Sequence, residues 1–311
     1  VGQQVELLRG RGMAISDTPK AETCLHRIGY YRLSGYAYPF RQREIRIGTN
    51  GRELELIHEQ FRPHTEFSTI MDLYVFDKKL RLLFLDAIER IEVGLRVEVA
   101  LILGTYGAYS YRDPATFNSY FSVPDAEGVT PHTKFIEKLD LAFRRSREEF
   151  AEHFRSKYSS DLPIWMSIEL WDFGTLSTVL NGMKSVDLDK LSGLYQLPKR
   201  RFLPSWVQSI NFVRNICAHH GRLWNRPIVQ QPSPSKPGEL FLLEHLTRDQ
   251  FAQRRLYAVA AVLQYLLNIV HPGSTWKERL HLHTKTLPDS PHISTRHMGF
   301  PLDWEKFPLW V

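Results

Sequence analysis

Between residues 68 and 103, apolar side chains recur at Leu73, Phe76, Leu80, Leu83, Ala87, Ile91 and Leu95, in steps of three and four. That spacing returns to one face of an α-helix, and it predicts a single amphipathic helix of roughly 50 Å at about 1.5 Å per residue. Burying so long a stripe takes several other elements, so the expected fold class is all-α, a helical bundle with helical extensions. Helical patterns recur over residues 132–158 and 163–183. Thr18-Pro19 reads as an N-cap and first-turn pair, Pro204 as the opening of a further helix. Thr247-Arg248-Asp249-Gln250 and Thr275-Trp276-Lys277-Glu278 read as capping boxes; the first leads into a helix running to His271.

One segment departs from this period. Ile45 and Ile47, then Leu54 and Leu56, alternate with polar residues around Asn50-Gly51, which suits a type I′ turn. A small β-hairpin is expected there. The Pro/Ser-rich run QQPSPSKPG at residues 230–238 cannot be helix and reads as a connection. The expected organisation is an N-terminal helical subdomain with the hairpin over residues 1–63, a helical domain over 64–285, and a C-terminal tail over 286–311 packed on that domain.

With 311 residues, 43% of them hydrophobic, the chain is able to form a substantial core. Two cysteines, Cys24 and Cys217, argue against a disulfide framework and fit a reducing cytoplasm. The longest apolar stretch, Leu256 to Val270, is interrupted by Gln264 and Asn268 and falls short of the roughly 20 residues needed to span a bilayer; it reads as a buried helix, and no membrane association is expected. No positively charged leader opens the sequence, which starts at Val1 rather than Met and so leaves room for a few further native residues.

Charge is distributed unevenly. Residues 190–238 contain no Asp or Glu but carry Lys190, Lys199, Arg200, Arg201, Arg214, Arg222, Arg226 and Lys236. The whole chain has 40 basic and 34 acidic residues, so outside this window 32 bases face 34 acids. Basicity this local is what a polyanion site requires. The window holds the run RNICAHHGRLWNR from Arg214. On a helical wheel with Trp206 at zero, Ile210, Val213 and Cys217 fall within about 40° of it, flanked by Ile216 and Phe212. Gln208, Asn211, Arg214, Asn215 and His219 lie on the other side, between roughly 80° and 220°, and His220, at about 320°, falls in the apolar arc. The wheel therefore selects His219 as the accessible imidazole and assigns His220 and Cys217 to the core.

An imidazole titrating near neutrality moves protons, and a guanidinium stabilises a crowded phosphorane, so these groups support attack of a ribose 2′-hydroxyl on the adjacent phosphate without a metal or cofactor. Asn215, four residues before His219, is placed to orient the ring or a phosphate oxygen. Arg214 and His219 are five residues apart, roughly 140° around the cylinder, so either the arginine reaches around or a second copy of the helix completes the site, which is a geometric reason to expect a dimer. Lys199, Arg200 and Arg201 before the helix and Arg222, Asn225 and Arg226 after it are candidate RNA contacts, against the plainer readings of a solvated charge run and a brace for the helix end. Glu92 and Arg96 read as an i,i+4 pair that could instead fix Arg214. Tyr30, Tyr31, Tyr36 and Tyr38 could stack bases, although packing is the simpler use. His281, His283, His292 and His297 match no common zinc spacing.

Six blocks in order carry a resemblance over nearly the whole chain: LLRGRGMAISD from Leu7, IGYYRLSGYAYPF from Ile28, LYVFDKKLRLLFLDAIERIEVGLR from Leu73, PIWMSIELWDFGTLS from Pro163, VRNICAHHGRLWNR from Val213 and MGFPLDWEKFPLW from Met298. With them the chain resembles the Abi-like abortive-infection family of bacterial phage-defence proteins, the AbiD/AbiF group, placed in the HEPN superfamily of all-helical RNases and RNA-binding proteins. The resemblance implies a HEPN-like helical bundle, an R-x4-6-H catalytic pair at Arg214 and His219, Asn215 as the accompanying polar residue, and a homodimer around the motif helix. It points to a cytoplasmic endoribonuclease of toxin type that leaves a 2′,3′-cyclic phosphate, with RNA as substrate; whether a protein or RNA antitoxin is a further partner is left open by the sequence. The rival reading is a non-cleaving RNA-binding module or sensor, and behind it an interaction scaffold. The fold is common to all three, so the site has to separate them.

Overall fold

The computed structural model describes residues 1–47, 53–158 and 161–311. Among these the protein is all-α apart from one antiparallel hairpin, as expected. The long stripe forms helix α4 (Phe67–Gly104), which buries Leu73, Phe76, Leu80, Ala87, Ile91 and Leu95, with Phe84 rather than Leu83 at the inner position. Before it come α1 (Gly2–Gly10), α2 (Thr18–Ile28) and α3 (Tyr30–Ala37). Asp17, not Thr18, caps α2, its carboxylate accepting from Lys20 N–H at 2.9 Å. Gly29, at φ +90°, makes the turn between α2 and α3, a backbone state open to glycine at little cost.

The hairpin pairs β1 (Arg41–Ile47) with β2 (Glu53–Phe61), Ile45 opposite Glu55. Ile45, Ile47, Leu54 and Leu56 are all exposed, so the hairpin projects rather than covering the core. The expected Asn50-Gly51 turn lies outside the described residues.

After α4 the helices are shorter than the periodicity implied. Residues 132–158 form α5 (Pro131–Arg145) and α6 (Glu149–Tyr158), parted where Ser146 turns extended. Residues 163–183 form α7 (Ile164–Ser167), a 3₁₀ turn and α8 (Phe173–Gly182), which Asp172 restarts by accepting from Thr175 N–H at 2.7 Å. Helix α9 (Ser185–Leu194) leads to the motif helix α10 (Phe202–Ala218). Helix α10 opens at Phe202, so Pro204 sits inside the first turn, where its missing N–H leaves no bond unmade. The helix expected after the linker is three: α11 (Glu244–Thr247), α12 (Gln250–Gln253) and α13 (Leu256–Val270), followed by α14 (Trp276–Thr284). Asp249 caps α12 by accepting from Ala252 N–H, whereas Thr275 makes no side-chain cap.

Every residue of α13 from Leu256 to Leu267 is buried. Helix α13 packs on both α4 and α10, and the buried core is continuous from Val5 in α1 to Trp310 near the C-terminus. No helix among the described residues is long and apolar enough to cross a membrane.

Candidate functional site

Helix α10 presents two faces, much as its wheel implies. Trp206, Ile210, Val213, Ile216 and Cys217 are buried against α4, α8 and α13, while Gln208 and Asn215 are exposed and Asn211 and Arg214 half-exposed. Burial pushes the Cys217 thiol up to about 12, so it packs as a small hydrophobe and carries no nucleophile.

At its C-terminal end the structure corrects the wheel. The helix stops at Ala218, with His219 as its cap, and His220 turns left-handed at φ +56°. Gly221 N–H then donates back to Ile216 O at 2.8 Å and His220 N–H to Cys217 O at 3.1 Å, the paired bonds of a Schellman ending. A Cβ on Gly221 would sit 3.2 Å from Ile216 Cγ2 and 3.3 Å from its carbonyl, so the close return favours glycine. Because the chain leaves the helix at this point, His220 does not enter the apolar arc. Both histidines are exposed.

The segment beyond is held from several sides. Arg32 of α3 donates to His220 O at 2.7 Å and Arg81 of α4 to Gly221 O at 3.3 Å. Arg222 donates to Gly35 O, and Arg255 to Asn225 O at 2.9 Å. The centre of the anchorage is Asp77, fully buried, whose carboxylate accepts from Trp224 N–H at 2.8 Å, Leu223 N–H at 3.2 Å, Tyr36 Oη at 2.7 Å and Arg81 at 2.6 Å. Burial raises the Asp77 carboxyl above the usual carboxylate range, and these donors restrain the rise. Burial likewise lowers the Arg222 guanidinium, with Tyr36 and Asp77 opposing the shift.

Sequence reasoning missed Asp77, Arg81 and Arg32, and for Tyr36 the simpler use, packing, is the one the structure shows. The signal was there for two of them: Asp77 and Arg81 interrupt the buried stripe of α4 at positions that otherwise hold Leu73, Leu80 and Phe84. Glu92 and Arg96 do pair with each other, but Arg96 reaches toward Glu169 at 4.0 Å and not to Arg214.

The basic candidates divide into two groups. Lys199 pairs with Glu239, Arg201 with Glu239 at 3.4 Å and Arg200 with Asp189 at 3.1 Å. Asp189 and Glu239 are the residues that border the acid-free window, and the fold brings both back onto it. The hydrogen bond from Lys199 lowers the Glu239 carboxyl below its ordinary range. At the other end of α10, Arg214, Arg222 and Arg226 form no ion pair among the described residues; Arg214 makes only a 3.5 Å contact with the amide oxygen of Asn215. Arg222 is half-buried as a brace, Asn225 contributes its carbonyl to Arg255, and Arg226 is exposed beside Gly221. Uncompensated positive charge thus gathers where the helix ends, around His219.

The tyrosines divide too. Tyr36 is buried on Asp77, and Tyr30 accepts from Arg11 at 2.9 Å, whereas Tyr31 is 91% and Tyr38 41% exposed. Two of the C-terminal histidines serve packing: His283 stacks on Phe76 at 4.4 Å, and His292 bonds the Pro63 carbonyl at 3.0 Å.

The sequence pattern of the family described as Abi-like protein matches residues 23–225, a span that takes in α3, α4 and the whole Arg214–His219 motif. No curated protein and no solved structure matches the chain. Since the match covers well over half of the sequence, the chain belongs to the Abi-like protein family.

Proposed function

We propose that the protein is a metal-independent endoribonuclease acting as an abortive-infection effector in phage defence. The observation that carries this reading is the juxtaposition on one helix end of an exposed imidazole, an exposed amide and a guanidinium with no carboxylate partner among the described residues. His219 takes the 2′-hydroxyl proton as the 2′-oxygen bonds to phosphorus and the bond from phosphorus to the 5′-oxygen breaks; the 5′-oxygen leaves as a hydroxyl, protonated by an imidazolium. Arg214 stabilises the charge on the pentavalent phosphate, and Asn215 orients the ring or a phosphate oxygen. The products are a 2′,3′-cyclic phosphate and a 5′-hydroxyl.

Arg214 and His219 are five positions apart, which turns them roughly 140° apart on one cylinder. A homodimer with its two-fold axis beside this polar face gathers two copies of Arg214, Asn215 and His219 into one cleft and supplies both the base and the acid. Unrestrained cleavage would arrest the cell, so a protein or RNA antitoxin belongs with this reading.

The test is incubation of the purified protein with total RNA in excess EDTA, with the chemistry of the new ends determined. His219→Ala and Arg214→Ala should each lower cleavage by about 10²- to 10⁴-fold at an unchanged thermal transition. Chelator-sensitive cleavage leaving 5′-phosphates would overturn the mechanism. RNA binding without cleavage would leave the RNA-binding module as the reading.

A further inference from the structure

Helix α3 lies across the end of the motif helix. Arg32 holds the His220 carbonyl, and Arg222, from the segment after the motif, holds that of Gly35. Counting about 100° per residue from Tyr31, Gly35 falls near 40° and Tyr38, which continues in helical geometry at φ −56°, near −20°. The buried residues Tyr36, Leu33 and Ala37 fall between about 140° and 240°, on the opposite side. Tyr31, Gly35 and Tyr38 therefore share the outward face of α3.

Gly35 contributes no side chain to that face, and Arg222 fills the opening: a Cβ on Gly35 would lie 3.5 Å from Arg222 Nη1. Along the helix the face reads ring, guanidinium, ring, with the backbone positions of Tyr31 and Tyr38 about 10 Å apart along the axis at 1.5 Å per residue. Arg32 and Arg222 form no ion pair among the described residues. Arg41 approaches the Tyr38 ring, its guanidinium carbon 5.8 Å from the centroid. Two exposed aromatic rings flanking a planar cation, on a surface of uncompensated positive charge, have the chemistry of a single-stranded nucleic-acid platform. Bases stack on rings and guanidinium planes whatever their identity, while the charge holds the backbone.

The geometry points to Tyr31 and Tyr38, with Arg222 between them, as a stacking platform for bases of single-stranded RNA that leads the strand to His219. This rests on the ribonuclease reading and adds where the substrate lies and that it is unpaired. A protein surface covering Tyr31 is the competing occupant, but the arginines around it fit a polyanion better.

The test uses the full chain with His219→Ala and a 12-nucleotide single-stranded RNA carrying 2-aminopurine, whose fluorescence reports stacking. Tyr31→Ala and Tyr38→Ala should each weaken binding by about 5- to 150-fold, with loss of the stacking signal. Tyr31→Phe and Tyr38→Phe should restore both, because the ring and not the hydroxyl does the stacking. A perfect duplex of the same sequence should bind independently of these residues. Alanine variants that bind as tightly as the parent would overturn the platform and leave the ribonuclease reading standing, provided that His219→Ala abolishes cleavage. A parent that binds no single-stranded RNA would remove both. Conversion of a dimer to a monomer by Tyr31→Ala, with RNA affinity kept, would make the face a protein contact and overturn the platform.

Discussion

His219 and His220 are adjacent and both exposed, yet their backbones differ: His219 keeps φ at −88°, while His220 sits at +56°. A left-handed residue other than glycine costs on the order of 1 kcal/mol, and here it is held by the paired helix-end bonds and by Arg32 on its carbonyl. Replacing His220 by glycine should therefore stabilise the protein by about 0.5–1 kcal/mol in urea unfolding while leaving RNA cleavage intact. Loss of cleavage in His220→Gly would instead make its imidazole part of the site. The wheel could not foresee this geometry, because it assumes that the helix continues, and the residue at which a helix stops depends on contacts made from α3 and α4. The inward positions of Trp206, Ile210, Val213 and Cys217 were legible because they lie where the helix is regular.

Length decided what could be read among the elements. Helix α4 was expected over residues 68–103 and spans Phe67–Gly104, since many repeats of one period leave little freedom in its bounds. The breaks at Ser146, at Trp171-Asp172 and at Arg254-Arg255 fall inside continuous apolar patterns and arise from local turns and caps that periodicity does not register. Within α4, Asp77 ties the post-motif segment to the bundle. Asp77→Asn removes the carboxylate from a buried pair and leaves Arg81 uncompensated, so stability should fall by about 3–5 kcal/mol. At temperatures where the variant remains folded, cleavage should fall as well, because residues 221–224 lose their anchor. Unfolding curves and single-turnover rates on the same preparation separate the two effects. The start of α10 offers a second test. Glu239 occupies Lys199 and Arg201, so Glu239→Gln should tighten RNA binding by His219→Ala protein and steepen its salt dependence by about 0.7 for each cation that takes up a phosphate. An unchanged slope returns these residues to a purely structural role. The absence of acids from residues 190–238 was plain in the sequence, whereas the return of Asp189 and Glu239 from its two borders required the fold.

For the whole molecule, the proposed dimeric site makes cleavage depend on assembly, because Arg214 and His219 lie apart around one helix. Specific activity per chain should fall on dilution below the dissociation constant, and single-turnover rates should follow the dimer fraction seen by sedimentation; a fully active monomer would place Arg214 and His219 in one chain's site. The packing of α10 also carries a consequence for synthesis. The motif helix is buried between α4, made early, and α13, whose last residue, Val270, emerges 52 positions after Ala218. At about 5–20 residues per second, translation exposes the motif for several seconds before α13 can cover its apolar face. A nascent chain therefore holds the apolar face of α10 uncovered until α13 has emerged, so the motif helix reaches its packed form only after residue 270 has been made.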